Sequence, residues 1–149
     1  METNTEVLND LIKINNDRIK GYEKAAKETA KEDADLRQLF TDLASDSVRY
    51  AEELKSLTVG KSPSPGDETT LDGDIYRAWM DVKATFSGKS RKAILASCEF
   101  GEDAAQKAYE KALKKPGLSS DVSQRITDQK AQLKLAHDKI KRMRDTQPA

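Results

Sequence analysis

Glu102 and His137 are the two residues of this sequence whose side chains are best placed to do chemistry. Glu102 lies in the stretch ILASCEFGEDAAQKAY, residues 94–109, seven residues from both Leu95 and Tyr109, and so on the apolar side of a helical pattern. His137 is the single histidine, and it lies on the apolar side of the following helical segment. A carboxylate and an imidazole are ligand types that proteins use to bind iron or manganese.

Two interpretations accommodate these residues. In the first, Glu102 and His137 form a metal site for iron or manganese inside a helical bundle, and Tyr50 and Asn15 line the same cavity. In the second, they belong to a buried hydrogen-bonded network, because a buried carboxylate must find donors or take up a proton. The further members of that network would come from the inner faces of the helices: Asn15, Tyr22, Tyr50 and Tyr109. The network is the preferred interpretation.

Four long stretches without proline predict the helices that position these side chains. Apolar residues recur in each stretch at a spacing near seven residues, which is typical of helices that bury one face in a bundle. The stretches cover residues 4–30, 33–58, 90–114 and 119–145. The sequence therefore predicts an all-α fold, a four-helix bundle formed by one domain over residues 1–149.

The connection between the second and third helices, residues 59–89, predicts the topology. It begins with GKSPSPGDETT, residues 60–70, a loop that no helix could cross, and continues with a shorter helical segment over residues 71–86. Short turns join the helices within each pair, whereas this connection can travel the whole bundle, as in the single-crossover plan of ferritin-like bundles. Trp79 either anchors the short helix on the bundle or forms part of a dimer seam.

The composition favours neither nucleic acid nor a membrane as a partner, so neither is expected. The chain of 149 residues has 26 basic and 26 acidic residues, so no global field favours nucleic acid or an anionic membrane. No stretch approaches the roughly 18 apolar residues of a membrane span, and the start METNTEVLND lacks the pattern of a signal peptide, so a cytoplasmic protein is expected. Cys98, the single cysteine, is in line with Leu95 and Ala105 and is expected to be a core residue.

Five segments carry a recognisable pattern: LNDLIKINNDRIKGYEKAA, FTDLASDSVRYAEEL, YRAWMDVKATFSGKS, CEFGEDAAQKAYEKAL and AHDKIKRMRD. Together they resemble a bacterial family of uncharacterised ferritin-like four-helix-bundle proteins, from about residue 6 to residue 145. The resemblance implies a fold but no established activity.

The wider ferritin-like superfamily binds two metal ions with a glutamate on two helices and Glu-x-x-His on the other two. In this chain, Glu102 and His137 match that pattern. The other positions depart from it, and they hold Asn15, Ser47, Tyr50 and Lys134. A dinuclear site needs about four carboxylates to offset its charge, so the resemblance does not imply a di-iron oxidase or ferroxidase. A mononuclear site that recruits Glu23, Glu53 or Glu99 stays open.

The function expected from these observations is that of a non-enzymatic, stress-related helical bundle. It would act through self-association, as a homo-oligomer such as a dimer, or through a protein partner. The alternative is a metal-binding ferritin-like protein with a degenerate carboxylate and histidine site, engaged in oxygen, peroxide or metal-storage chemistry. Neither interpretation requires a cofactor other than a divalent metal.

Overall fold

The computed structural model describes residues 2–29, 33–58 and 91–147, and these form four α-helices without a strand. The helices are α1 (Glu2–Glu28), α2 (Ala34–Ser56), α3 (Arg91–Leu113) and α4 (Ser120–Asp145). Their bounds agree with the four predicted proline-free stretches, so the all-α four-helix prediction is confirmed. The predicted short helix over residues 71–86, with Trp79, lies outside the described residues. None of the four helices is both long and apolar enough to cross a membrane.

Gly117 and Ser119 shape the turn between α3 and α4. Gly117 has a φ of +86°, a backbone conformation that glycine adopts without steric cost. Ser119 then caps α4, since its hydroxyl accepts a hydrogen bond from the backbone N–H of Val122. Asn4 of α1 fastens this turn, because its side-chain oxygen accepts from the backbone N–H of Ser119 at 3.0 Å.

Contacts between side chains fix the direction of each helix. Tyr22 stacks on Phe40 with ring centroids 5.9 Å apart, and Arg37, near the start of α2, donates to the carbonyl of Thr29 after α1, so α1 and α2 are antiparallel. In the second pair, Tyr109 of α3 donates to Gln129 of α4 at 2.7 Å. Arg91, at the start of α3, likewise contacts Gln147 beyond the end of α4. Both pairs are therefore antiparallel hairpins.

The two hairpins are joined so that α2 and α3 run in the same direction. Arg91, the first residue of α3, forms ion pairs with Asp33 and Asp35 at the start of α2, at 2.8 and 2.7 Å. At the other end of α2, Glu53 pairs at 3.6 Å with Arg125, in the second turn of α4. The chain therefore leaves α2 at one end of the bundle and enters α3 at the opposite end.

The buried apolar side chains form two clusters, one toward each end of the bundle. The first includes Leu8, Leu11, Tyr50, Leu54, Ala105, Tyr109, Ile126 and Leu133. The second includes Tyr22, Leu36, Phe40, Leu43, Leu95, Cys98 and Ile140. Fully buried polar residues lie between the clusters in the order of the chain: Asn15, Asp17 and Arg18 on α1, Ser47 on α2 and Glu102 on α3. The candidate site begins with this polar layer.

Candidate functional site

Glu102 is bound by two side chains of α1. The guanidinium Nη1 of Arg18 and the hydroxyl of Tyr22 both donate to Oε2 of Glu102, and all three residues are fully buried. The guanidinium also reaches α2, where its Nε donates to the hydroxyl oxygen of Ser47 at 3.1 Å. Arg18 therefore ties three of the four helices together at one level of the core.

Arg18 is an interior residue that sequence reasoning missed. A signal for it existed, because Arg18 lies three residues after Asn15 and four before Tyr22, and residues at these spacings share a helix face. An arginine is seldom fully buried unless it is paired, and Arg18 was not singled out from the sequence. The carboxylate of Glu102 provides the partner that makes its burial possible.

Burial and the charges of this pair together set the protonation of the groups around it. Burial by itself would lower the pKa of Arg18, but the carboxylate of Glu102 more than offsets this and raises the pKa, so the guanidinium stays charged. Burial and, after it, the charge of Glu102 hold the pKa of Tyr22 well above its ordinary value. The same two causes raise the pKa of Cys98. Tyr22 is therefore a neutral hydroxyl donor, and Cys98 is a thiol rather than a thiolate.

The residues of this layer do not fit the dinuclear metal centre of the ferritin-like pattern. Glu102 Oε1 and Asn15 Oδ1 are buried oxygens with no hydrogen-bond partner among the described residues, and either could face a cation. However, the second oxygen of Glu102 is already paired with the Arg18 guanidinium, a permanent positive charge. Lys134, at the position where the pattern has a glutamate, points outward and pairs with Asp138 at 3.0 Å. It therefore contributes neither a charge nor a metal ligand to the interior. No step of metal chemistry follows from the interior.

Asn15 and Tyr50 belong to a second buried network, next to the first. Asn15 Nδ2 donates to the hydroxyl of Tyr109 at 2.9 Å, and that hydroxyl donates to Gln129 Oε1 at 2.7 Å. Gln129 Nε2 donates in turn to the backbone carbonyl of Tyr50 at 3.1 Å. The hydroxyl of Tyr50 faces the other way and donates to Gln132 at 3.2 Å. Asn15 and Tyr50 are thus joined through Tyr109 and Gln129.

His137 lies on the flank of the bundle, between α3 and α4. Its Nε2 is 2.6 Å from Asp103 Oδ1 and 4.0 Å from Glu99 Oε1, and its Nδ1 is 3.0 Å from Asp138 Oδ1. Glu99 also forms an ion pair with Arg144. Partial burial alone would lower the pKa of His137, but the hydrogen bond to Asp138 and the carboxylates of Asp103 and Glu99 raise it.

The structure places Glu102 and His137 in different networks, contrary to the expectation that the two residues share one cavity. Glu102 is held by Arg18 and Tyr22, whereas the ring nitrogens of His137 face acids of the flank. The reason is the angle around α4. At about 100° per residue, His137 is turned about 40° from Leu133 and about 60° from Ile140, and both of those side chains are fully buried. This offset directs the imidazole toward the side of α3.

Glu99, Asp103 and His137 are the residues that the described part of the chain brings together with metal-ligating atoms. One oxygen of each carboxylate and one nitrogen of the imidazole all lie within 4.8 Å of one another. Sequence reasoning considered Glu99 as a recruited ligand but did not select Asp103. The signal was the i, i+4 spacing of Glu99 and Asp103, which sets both carboxylates on one side of α3.

A comparison with protein families finds one matching model. It is described as Domain of unknown function (DUF2383), and it matches residues 3–115, which include α1, α2 and α3. No curated protein matches the chain.

Proposed function

The chain belongs to this family of domains of unknown function, and we propose that it is a non-enzymatic ferritin-like bundle that acts through self-association. An internal ion pair takes the place that a metal centre holds in metal-binding bundles of this kind. The observation that carries the proposal is the fully buried contact between Arg18 and Glu102. A stress-related role for such a bundle stays a prediction from the sequence.

The ion pair argues for a structural interior because it balances its own charge. The guanidinium of Arg18 carries a permanent positive charge, which balances the charge of the Glu102 carboxylate. A divalent ion at the same carboxylate would have to displace that cation, or add two charges beside it in a medium of low dielectric constant. The hydrogen bonds from Arg18 to Ser47 and from Tyr22 to Glu102 give the layer a purely structural role.

A groove between α1 and α2 supports self-association. Its volume is about 720 Å³, and its apolar lining includes Ala26, Ala44 and Val48, with Glu23 and Lys27 beside them. Val48 is 43% exposed, which is unusual for a large apolar residue next to a core helix face. A two-fold dimer needs a patch that complements itself, and an acid and a base beside an apolar floor satisfy that need. We therefore propose that a second copy of the chain binds this groove.

Light scattering of the purified full chain tests the dimer. Val48→Asp should halve the measured mass, because it sets a charge in the apolar floor of the interface. Leu135→Asp is the matched control: Leu135 is 71% exposed on α4, away from the groove, and this variant should keep the mass of the parent. Circular dichroism checks that both variants stay helical. A monomeric parent, or equal masses for the two variants, would contradict this interface.

The alternative expected from the sequence is iron or manganese at Glu102 and His137, with Tyr50 and Asn15, although the structure places Glu102 and His137 in different networks. It is tested by metal analysis of untagged protein grown with added iron, manganese and zinc. The non-enzymatic proposal expects no stoichiometric metal that depends on Glu102. Metal that is present in the parent and lost in Glu102→Gln would favour the alternative.

A further inference from the structure

The flank of α3 and α4 carries a second arrangement of charged side chains, separate from the buried ion pair. Glu99 and Asp103 are one helical turn apart on α3, and His137 faces them from α4. We propose that Glu99, Asp103 and His137 form a mononuclear binding site for a first-row divalent cation. This inference does not depend on the proposed dimer, because none of the three residues lines the groove between α1 and α2.

The present distances suit such an ion. Ligand atoms about 2.0 to 2.2 Å from zinc lie roughly 3 to 3.5 Å from one another in a tetrahedral site. The His137 Nε2 is now 2.6 Å from Asp103 and 4.0 Å from Glu99, so the two distances bracket the required separation. Side-chain movements of about 1 Å would bring all three donors to one ion, and neither helix would have to shift.

The chemistry of the donors selects the class of cation. One imidazole nitrogen with two carboxylate oxygens suits zinc, manganese or ferrous iron, whereas magnesium and calcium prefer oxygen ligands alone. Three protein ligands leave a fourth position for water, and Asp103 is 51% exposed, so water reaches this side of the site. The ion would replace the proton that His137 Nε2 and Asp103 now share.

Asp138 acts as a positioning residue for this site. Its Oδ1 lies 3.0 Å from His137 Nδ1, so it can accept a hydrogen bond from that nitrogen and leave Nε2 directed at the ligands of α3. Lys134 holds the other oxygen of Asp138 at 3.0 Å. On the opposite side of the site, Arg144 pairs with Oε2 of Glu99, so that Oε1, the oxygen 4.0 Å from His137 Nε2, stays available to the ion. A bound cation would therefore fasten α3 to α4 along the flank.

Zinc titration of the untagged, chelator-treated full chain tests the inference. Isothermal titration calorimetry should find one zinc ion per chain, and Asp103→Asn and His137→Gln should each weaken binding by at least about tenfold. Because Asp103 is half exposed, its variant keeps the fold. Asp128→Asn is the matched control, an exposed aspartate of the same helix as His137 that contacts Gln124, and it should bind zinc like the parent.

A second measurement follows the histidine itself. The chain has one histidine, so its imidazole C–H signals in a proton spectrum belong to His137 alone. Manganese, which is paramagnetic, should broaden these signals in the parent and in Asp128→Asn, but far less in Asp103→Asn. Zinc binding of equal strength in the parent and in Asp103→Asn, or an unchanged histidine signal on addition of manganese, would overturn the site. Val48→Asp should alter neither result, so failure of this site and failure of the proposed dimer are distinguishable.

Discussion

Replacement of Arg18 by methionine should lower the free energy of unfolding by about 3 to 5 kcal/mol, the usual cost of removing one partner of a buried ion pair. Methionine keeps much of the volume of the side chain but removes the charge. The carboxylate of Glu102 then stays fully buried, with the hydroxyl of Tyr22 as its one remaining donor among the described residues. Ser47 also loses the hydrogen bond that Arg18 Nε donates.

The size of the loss comes from the charge that stays behind, and a second variant demonstrates this. Arg18→Met combined with Glu102→Met removes both charges and fills the space with apolar atoms. Replacing a whole buried ion pair in this way is often neutral, or even stabilising. Tyr22 loses its acceptor, which costs about 1 to 3 kcal/mol. The double variant should therefore be more stable than Arg18→Met alone, although it lacks more of the native contacts.

Urea unfolding followed by circular dichroism at 222 nm measures these differences. Arg49→Met is the matched control, because Arg49 is 48% exposed and pairs with Asp46 and Glu53 at 3.5 and 3.8 Å. An exposed pair of this kind contributes up to about 1 kcal/mol. If Arg18→Met and Arg49→Met have the same stability, the buried pair does not stabilise the core as argued. A double variant less stable than Arg18→Met would contradict the role assigned to the uncompensated charge.

Two further predictions concern single residues of α3 and of the turn that follows it. Cys98 is fully buried and its pKa is raised. At pH 8 its thiol should therefore react with a disulfide reagent at least about tenfold more slowly in the folded protein than in the protein unfolded in urea. Equal reaction rates would contradict its burial. Gly117→Ala should lower the free energy of unfolding, measured in urea, by about 1 to 2 kcal/mol, because the positive φ of this residue is strained for any residue with a Cβ. Steric contact is not the cause, since a Cβ at this position would meet no atom within 4 Å. Gly117→Asn should cost less, since asparagine tolerates that conformation, and an alanine variant as stable as the parent would refute the argument.

The helices could be predicted from the sequence because their signals are local. Prolines and glycines interrupt the chain at the turns, and the seven-residue recurrence of apolar residues marks the inner face of each helix. Ser119 and Ser120 both follow Gly117 as possible N-caps, and the structure shows that Ser119 is the one that caps α4. The inner-stripe positions of Glu102 and Asn15 were also read correctly, since both are fully buried.

The partners of these residues depend on how the helices pack, which a pattern along one helix does not specify. Glu102 was assigned to the inside, but only the packing of α1 against α3 brings it to Arg18, 84 residues away in the chain. His137 shares the apolar side of α4 in the sequence pattern, yet its angular offset from Leu133 turns it toward Asp103 on the flank. A periodicity identifies a face about 100° wide or more. The neighbouring helix decides where a side chain points within that face and which charged group it contacts there.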